Sequence, residues 1–413
     1  MTSPSLDARI DPDRLWRSLA AVSAFGGTDD GGLHRLAATA DDGRARDLVV
    51  AAARSAGCAV RVDRVGNVFC RRPGTDPEAA AVLMGSHLDS QPRAGRYDGV
   101  YGVMAGLEVL TALGAAGEPT RRPVELAIWT NEEGARFPPA MMGSAVFAGR
   151  LSPEEALATR DAEGIALGEA LSRIGYAGAH DVLTQEFAAY LEAHIEQGPI
   201  LEAAGLRIGV VTGAQAQYWL DVQLHGVRGH AGTFPMESRA DALVAAAELV
   251  LAVRRVGLAR PEVGRATVGR LEVPDSAPNV VPSLVRLTVE LRHPQAEELA
   301  AMLAEVRSEL ERVCETYGVS ATSDLTLQAA PTPFDAEVVA VVEAAAQTLG
   351  LSRQRMISGA GHDAVPLASV IPTGMIFVPC VAGVSHSPRE RLDPQAAADG
   401  AAVLLESVRR LAH

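Results

Sequence analysis

The sequence contains no lysine, and all 37 basic residues among its 413 are arginine. This absence excludes chemistry that depends on a lysine amine, such as the Walker phosphate site, Schiff-base catalysis and pyridoxal phosphate enzymes. It also excludes a carboxylated lysine as the bridge between two metal ions. If this chain holds a metal bridge, a carboxylate must provide it.

Cysteines are few, and long hydrophobic runs are absent. The four cysteines show no CxxC spacing, which argues against disulfide staples and thiolate zinc sites. No apolar run reaches transmembrane length, and the polar N-terminal segment lacks the apolar core of a signal peptide. The formal net charge of −14 argues against a nucleic-acid or anionic-membrane partner. We therefore expect a cytoplasmic enzyme that acts on a small molecule.

The length of the chain predicts two domains, because single hydrophobic cores rarely grow this large. Up to about residue 211, helical patterns alternate with short apolar runs. Residues 80–85 and 124–130 are typical of buried parallel strands, and residues 99–113 between them have helical spacing. This βαβ pattern predicts an α/β domain with a central mixed sheet.

The pattern changes between residues 212 and 328. Predicted strands and helices follow one another in the order βαββαβ, which is typical of a ferredoxin-like insert. The strands cover 217–225, 265–273, 283–291 and 321–328, and the helices cover 236–256 and 295–317. The α/β pattern resumes after residue 329, so we predict a discontinuous catalytic domain (1–211 and 329–413) with a lid domain (212–328) inserted into it.

Potential metal ligands lie in turns marked by glycine or proline, where strand patterns end. They are His87 in GSHLDS, Asp98 in GRYDGVYG, Glu133 in WTNEEG, His194 in AHIEQGP and His386 in GVSHSP. If Asp98 bridges, His87 and His194 complete one metal site, and Glu133 and His386 complete a second. Paired divalent ions polarise a carbonyl and activate water, and Glu132 would then be the general base.

Each of these residues also has a structural alternative. An aspartate before glycine is common in turns, adjacent glutamates are usually surface residues, and a single histidine is more often structural than a ligand. The interpretation as a metal site therefore depends on all of these residues occurring together in one chain. Asp89, two residues after His87, is expected to orient the His87 ring.

Several motifs resemble the N-carbamoyl-L-amino-acid amidohydrolases. These enzymes group with β-ureidopropionases and allantoate amidohydrolases in the aminoacylase-like clan of dinuclear metallopeptidases. The strings are GSHLDSQPRAGRYDG, NEEGARFPPAMMGS, LEAHIEQGP, GHAGTFPM and SGAGHDA. The resemblance implies that the insert is a lid used for homodimerisation, that Glu132 is the base and that Glu133 is a ligand. His194 stands where peptidase relatives usually have a carboxylate, which favours ureido over peptide substrates.

The resemblance also implies substrate contacts. Arg292 and Asn279 would bind a substrate carboxylate, His230 would donate to the oxyanion from the other subunit, and Gln197 and Gly361 would bind the ureido group. On sequence alone, Arg292 could equally be a surface residue and Asn279 a turn residue. The stretch QAQYW (215–219) and Ser387–Pro388 depart from relatives and could alter the substrate range.

The expected reaction is hydrolysis of the ureido C–N bond of an N-carbamoyl-L-amino acid, assisted by two divalent ions per subunit. A histidine and carboxylate site suits zinc, manganese, cobalt or nickel. The alternatives are an allantoate amidohydrolase, a β-ureidopropionase, a small-peptide hydrolase or a metal-binding scaffold without activity. For the homodimer, strand 217–225 is expected to be an edge strand that pairs across the two-fold axis.

Overall fold

The chain forms two compact units in the computed structural model, which describes residues 8–181 and 186–413. The first, which we call the discontinuous unit, combines Met1–Gly213 with Pro333–His413. The second, the inserted unit, is Ala214–Thr332. Each unit has its own hydrophobic core.

Helices and strands alternate over most of the described chain. The helices are α1 Pro12–Val22, α2 Ala40–Ser55, α3 Val100–Ala116, α4 Met142–Phe147, α5 Pro153–Ala158, α6 Leu167–Arg173, α7 Ile200–Ala204, α8 Ala242–Leu258, α9 Ala296–Tyr317, α10 Ala336–Thr348, α11 Ala364–Leu367 and α12 Pro394–Ala412. The strands are β1 Ala59–Val62, β2 Val68–Arg72, β3 Ala81–His87, β4 Val124–Trp129, β5 Phe187–Ile195, β6 Ile208–Ala214, β7 Ala216–His225, β8 Gly229–His230, β9 Arg265–Glu272, β10 Val280–Val281, β11 Leu284–His293, β12 Ser320–Ala329, β13 Thr332–Pro333, β14 Arg353–Ser358 and β15 Thr373–Val378. Among these helices, none is both long and apolar enough to cross a membrane.

A mixed nine-stranded sheet organises the discontinuous unit, in the order β1-β2-β4-β3-β5-β15-β6-β13, with β14 paired to β6. Its four central neighbours β4, β3, β5 and β15 are mutually parallel. Parallel strands end at the same edge of a sheet, and open α/β sheets place their sites outside those carboxyl ends. The loops that follow these four strands therefore converge on one edge.

The predicted βαβ unit is present as β3, α3 and β4. Every residue of β3 and β4 is buried, as expected for strands covered on both faces. Helix α3 is apolar around most of its circumference and packs against β3, β4 and β5. It begins after Gly99 and ends at Gly117, which is in the left-handed conformation that favours glycine at a helix C-terminus.

The inserted unit has the predicted βαββαβ order. Its four-stranded sheet is antiparallel in the order β12-β7-β11-β9, and α8 and α9 pack against it and each other. Buried and exposed residues alternate along β11, so one face lies against the helices. A short pair, β8 with β10, lies outside this sheet.

Two details of the inserted unit differ from the sequence predictions. Strand β7 is not an edge strand, because it pairs with β11 on one side and β12 on the other; the edges are β9 and β12. Helix α8 begins at Ala242 rather than at residue 236. The Asp241 side chain accepts hydrogen bonds from the amides of Leu243 and Val244, which fixes the helix start.

Candidate metal centre

The sheet edge gathers the predicted ligands from separate parts of the chain. His87 is the last residue of β3, His194 lies near the end of β5, and Glu133 follows β4. His386 lies in the loop after β15, and Asp98 directly precedes the Gly99 cap of α3. Because β4, β3, β5 and β15 are adjacent and parallel, residues as far apart in sequence as Asp98 and His386 become neighbours through the fold.

Asp98 lies between two groups of side chains. One group is His87, Asp98 and His194, and the other is Asp98, Glu133 and His386; within each group, the potential ligand atoms lie within 4.8 Å of one another. Asp98 Oδ1 is 3.1 Å from His194 Nε2, whereas Asp98 Oδ2 is 3.1 Å from His386 Nε2. Each carboxylate oxygen therefore faces a different group.

Access to the cluster differs between its two sides. The Asp98 side chain is 3 % exposed, and His87 and His194 are also buried. The His386 side chain is 50 % exposed. The second group is therefore in contact with solvent through His386.

The histidine rings are oriented by backbone carbonyls. His87 Nδ1 lies 2.9 Å from the Asp89 carbonyl oxygen, and His194 Nδ1 lies 2.9 Å from the Ile195 carbonyl oxygen. A ring nitrogen that faces a carbonyl carries the proton of the neutral ring, which leaves Nε2 as the potential ligand atom. Nε2 of both rings faces Asp98 Oδ1, at 3.8 Å for His87 and 3.1 Å for His194, and His194 Nε2 also accepts from the Gly99 amide. The donor set and its orientation thus fit a divalent cation.

Asp89 orients the His87 ring, as the sequence predicts. Its backbone carbonyl oxygen accepts the hydrogen bond from His87 Nδ1, while its carboxylate accepts from the amides of Glu132 at 3.2 Å and Glu133 at 3.1 Å. Asp89 therefore fixes the backbone of the glutamate pair as well as the His87 ring.

Negative charge dominates the cluster. Burial, followed by the charges of Asp363 and Glu133, raises the pKa of Glu132 well above its ordinary value. Burial and Asp98 raise the pKa of Glu133 to about 7. Burial alone would raise the pKa of Asp98, but its hydrogen bonds to His194 and His386 outweigh burial and hold this pKa well below the ordinary value.

The histidines respond to the same carboxylate. The hydrogen bond to Asp98 raises the pKa of His386 to about 9. Burial lowers the pKa of His194, but the hydrogen bond to Asp98 and the Asp98 charge outweigh burial and raise it to about 9. A site that stabilises positive charge in this way is suited to cations.

Side chains that the sequence analysis did not single out hold the candidate ligands. Gln91 donates from its backbone N to Glu133 Oε1 at 3.1 Å and from Nε2 to Glu133 Oε2 at 3.0 Å. Ser385 donates to Asp98 Oδ2 at 3.0 Å, and Glu390 accepts from the Tyr97 amide at 2.8 Å. Gln91 and Glu390 each lie four residues after a candidate ligand histidine, and this spacing could have drawn attention to them.

A second layer of buried polar groups lies beneath His194. The His362 ring packs edge-on against the His194 ring, with centroids 4.5 Å apart. Glu192 accepts hydrogen bonds from Ser86 Oγ and the Ala364 amide, both at 2.9 Å. The sequence did not single out Glu192 or His362. Glu192 lies within a buried strand and His362 in a glycine-rich turn, and neither context by itself indicates a functional residue.

The backbone around the centre is tightly constrained. Gly99 has φ +65°, and a Cβ placed there would lie 2.3 Å from Cε1 of His87, so no other residue fits beside that ring. Gln197 and His386 also have positive φ, 56° and 51°. Non-glycine residues in this conformation carry strain that is commonly stored at functional sites.

The predicted substrate-binding residues fall into both units. In the discontinuous unit, Gln197 Nε2 donates to Asp98 Oδ2 at 2.8 Å, and Gly361 lies in the loop between β14 and α11. In the inserted unit, His230 in β8 pairs with Val280, the residue after Asn279. Arg292 is in β11, where it contacts Glu290. The structure thus brings Gln197 to the metal cluster and His230 close to Asn279, and their roles in binding remain predictions.

Comparisons with known proteins agree with this architecture. The sequence profile of the peptidase family M20/M25/M40 matches residues 83–410. The chain is 41 % identical over 408 residues to the N-carbamoyl-L-amino-acid amidohydrolase of Rhizobium meliloti, covering 99 % of this chain and 98 % of that protein. It is 35 % identical to the ureidoglycolate hydrolase of Arabidopsis thaliana, with 97 % and 87 % covered. A crystal structure of a hydantoinase/carbamoylase family amidase from Burkholderia multivorans superposes with a TM-score of 0.92 at 46 % identity, covering 98 % of each chain.

Proposed function

Because the chain belongs to the peptidase family M20/M25/M40, we propose that it hydrolyses the ureido C–N bond of N-carbamoyl-L-amino acids in a metal-dependent reaction. The observation that carries this proposal is the Asp98 carboxylate, which presents one oxygen to His194 and the other to His386. That arrangement suits a bridge between two divalent cations. The products would be the free amino acid, carbon dioxide and ammonia.

The residues that would hold the two ions are those of the two side-chain groups around Asp98. His87, Asp98 and His194 would hold one ion, and Asp98, Glu133 and His386 would hold the other. Histidine and carboxylate ligands suit Zn²⁺, Mn²⁺, Co²⁺ or Ni²⁺. When bound, paired ions polarise the ureido carbonyl and make an attacking water more acidic.

Glu132 is the proposed general base. Its carboxylate is buried, and Oε2 lies 3.5 Å from His87 Nε2, at the edge of the first group without belonging to it. Glu132 would accept a proton from the attacking water and pass it to the leaving nitrogen of the amino acid.

Gln197 is the proposed contact for the ureido group. Its Nε2 is fixed by Asp98 at 2.8 Å, while its buried Oε1 has no hydrogen-bond partner among the described residues. A buried acceptor of this kind needs a donor, and the terminal NH₂ of a ureido group can supply one. Gly361 is proposed to bind the same group through its backbone.

Three residues of the inserted unit complete the proposed set. Arg292 would bind the substrate carboxylate, with Asn279 as a second donor. The Gly232 amide donates to His230 Nδ1 at 3.0 Å, which places the imidazole proton on Nε2. His230 could then donate from Nε2 to the oxyanion that develops during attack, within the site of the other subunit.

We also propose that the protein is a homodimer through the inserted unit. Val244, Leu251 and Leu258 recur at seven-residue spacing on α8 and are 45, 53 and 55 % exposed. An exposed apolar helix face of this kind is typical of a protein interface. Leu251→Asp should shift the mass measured by light scattering from dimer to monomer. Leu349→Asp, at a similarly exposed leucine of the discontinuous unit, is the matched control and should leave the mass unchanged.

A substrate panel tests the proposed activity. It should include N-carbamoyl-L- and N-carbamoyl-D-amino acids, 3-ureidopropionate, allantoate, ureidoglycolate and dipeptides, each assayed with the metal-loaded protein. The proposal expects the highest kcat/KM for an N-carbamoyl-L-amino acid and little turnover of dipeptides. Highest activity on ureidoglycolate would favour the second candidate, which the 35 % identity to the plant enzyme supports. Exclusive turnover of dipeptides would refute ureido hydrolysis.

A further inference from the structure

Four polar side chains share one face of the sheet in the inserted unit. Gln217 and Trp219 are on β7, and Glu290 and Arg292 are on the neighbouring strand β11. The register places Gln217 opposite Arg292 and Trp219 opposite Glu290. Residues two apart on a strand point to the same face, so these side chains form a square across two strands.

One oxygen atom lies at the centre of this square. Oε1 of Glu290 accepts from Gln217 Nε2 at 2.5 Å and from Trp219 Nε1 at 3.2 Å. The same Oε1 accepts from Arg292 Nε at 3.0 Å and from Arg292 Nη2 at 2.5 Å. The guanidinium is therefore held along its Nε–Nη2 edge by a carboxylate that is itself held by the adjacent strand.

We propose that Glu290 is a positioning residue that orients Arg292 for the carboxylate of the substrate. The inference rests on the proposed function, in which Arg292 binds that carboxylate. A free arginine side chain loses considerable rotamer entropy when it binds a ligand, and fixing the guanidinium beforehand removes part of that cost. Glu290 therefore affects the affinity for acidic substrates without contacting the reacting bond.

Two of these contacts come from the QAQYW stretch (215–219). Gln217 and Trp219, its third and fifth residues, both donate to Glu290 Oε1 and so prevent the carboxylate from rotating away from Arg292. The side chains of Arg292 and Glu290 are 25 and 30 % exposed, so their ion pair alone would be screened by water. The two additional donors give the pair a defined geometry.

Two substitutions of Glu290 separate orientation from charge. Glu290→Ala removes the acceptor, and Glu290→Gln keeps an Oε1 acceptor at the same place without the charge. With N-carbamoyl-L-methionine, Glu290→Ala should raise KM about tenfold with kcat nearly unchanged, since a lost charge-assisted hydrogen bond typically has such an effect. Glu290→Gln should stay within about threefold of the wild-type KM. With the corresponding carboxamide, which has no carboxylate, neither variant should change KM.

The sheet offers a matched control. On the edge strand β9, Arg270 Nε lies 3.0 Å from Glu272 Oε1, and the register places Arg270 opposite Thr288, on the same face as Arg292. Glu272→Ala therefore removes the same kind of ion pair from the same surface. It should leave KM unchanged for both the acid and the carboxamide.

Arg292→Ala separates failure of this inference from failure of the proposed function. If Arg292→Ala does not raise KM for the acid, Arg292 does not bind the carboxylate and the proposed function loses that contact. If Arg292→Ala raises KM but Glu290→Ala behaves as wild type, or Glu290→Gln is as impaired as Glu290→Ala, the positioning role is overturned. If Glu290→Ala fails to fold, Trp219→Phe tests the positioning role instead. It removes one donor to Glu290, so an unchanged KM for the acid would overturn the role and a raised one would support it.

Discussion

Oε2 of Glu132 lies 3.5 Å from Nε2 of His87. The adjacent Glu133 turns the other way, with Oε2 3.7 Å from Nε2 of His386 and both carboxylate oxygens held by Gln91. Consecutive residues in an extended or turn segment point in different directions, so these two adjacent glutamates place their carboxylates beside different histidines. This division supports separate roles for Glu132 as the base and Glu133 as a ligand.

Replacing the proposed base should separate catalysis from metal binding. Glu132→Gln should retain two metal ions per subunit but lose activity by about 10²–10⁴-fold, because the carbonyl is still polarised while the proton acceptor is absent. Elemental analysis beside a rate assay measures both properties. Near-wild-type turnover in this variant would remove Glu132 from the mechanism.

The matched control is the neighbouring residue. Glu133→Gln changes the same functional group at the next position and keeps the side-chain volume, but it should lower metal content at the second site. If Glu132→Gln and Glu133→Gln lose equal amounts of metal, the two glutamates do not have separate roles.

A bridging carboxylate should matter to both ions. Asp98→Ala should lower metal content at both positions, because the carboxylate would ligate two cations and offset their mutual repulsion. His386→Ala, which removes a ligand from only the second group, should weaken mainly one site. Titration of metal-free protein with Zn²⁺ by calorimetry gives the number of sites. Two tight sites in Asp98→Ala would contradict the bridge.

Two glycines at the ends of α3 provide a steric test of the centre. Gly99 and Gly117 both have positive φ, 65° and 61°, but ψ is −49° at Gly99 and 24° at Gly117, so alanine strains the backbone at both and more at Gly99, which lies outside the left-handed helical region. A Cβ at Gly99 would lie 2.3 Å from His87 Cε1, whereas a Cβ at Gly117 meets no atom within 4 Å. Gly99→Ala should therefore lose metal and activity beyond any loss of stability, and Gly117→Ala should lose only stability. Equal metal content in the two variants would mean that His87 tolerates displacement.

Metal removal should affect both activity and stability. A metal ion that binds only the native state stabilises that state, by about 2.7 kcal/mol per site when the free metal is 100-fold above Kd. Treatment with a chelator should abolish turnover and lower the thermal unfolding midpoint, and adding Zn²⁺ or Mn²⁺ should restore both. Glu132→Gln should show the same thermal shift without the activity. Full turnover after complete removal of metal would refute the proposed chemistry.

The fold was predictable because its patterns are local. The buried strands β3 and β4 are short runs of apolar residues, and the order βαββαβ of the inserted unit follows from changes in hydrophobic spacing. The sheet neighbours of β7 were not predictable from its alternation. An interior antiparallel strand with one solvent-facing side shows the same alternation as an edge strand, so only the pairing itself distinguishes them.

The charged residues of the candidate site could be predicted from the sequence, but most of the residues that hydrogen-bond to them could not. His87 and Asp98 stand in distinctive strings at strand ends, but the partners of a side chain depend on residues far away in sequence. Glu390, whose carboxylate accepts from the amide of Tyr97, is 293 residues from it. The polar square around Glu290 likewise depends on the register between β7 and β11, which the sequence does not specify.

The proposed shared site predicts complementation between subunits. His230→Ala should lower kcat strongly and leave metal content intact, because His230 would stabilise the oxyanion without binding metal. Glu132→Gln should also be inactive.

If His230 of one subunit acts with the Glu132 of another, each mixed dimer contains one site with both groups intact. Mixing the two inactive proteins should then restore part of the activity, up to about a quarter of the wild-type level if subunits exchange at random and half the dimers are mixed. Tagged subunits verify exchange, and a mixture of Glu132→Gln with Asp98→Ala, which leaves no site of a mixed dimer with an intact metal cluster and base, is the control that should stay at the level of the single variants. Confirmed mixed dimers without recovered activity would assign His230 to its own chain.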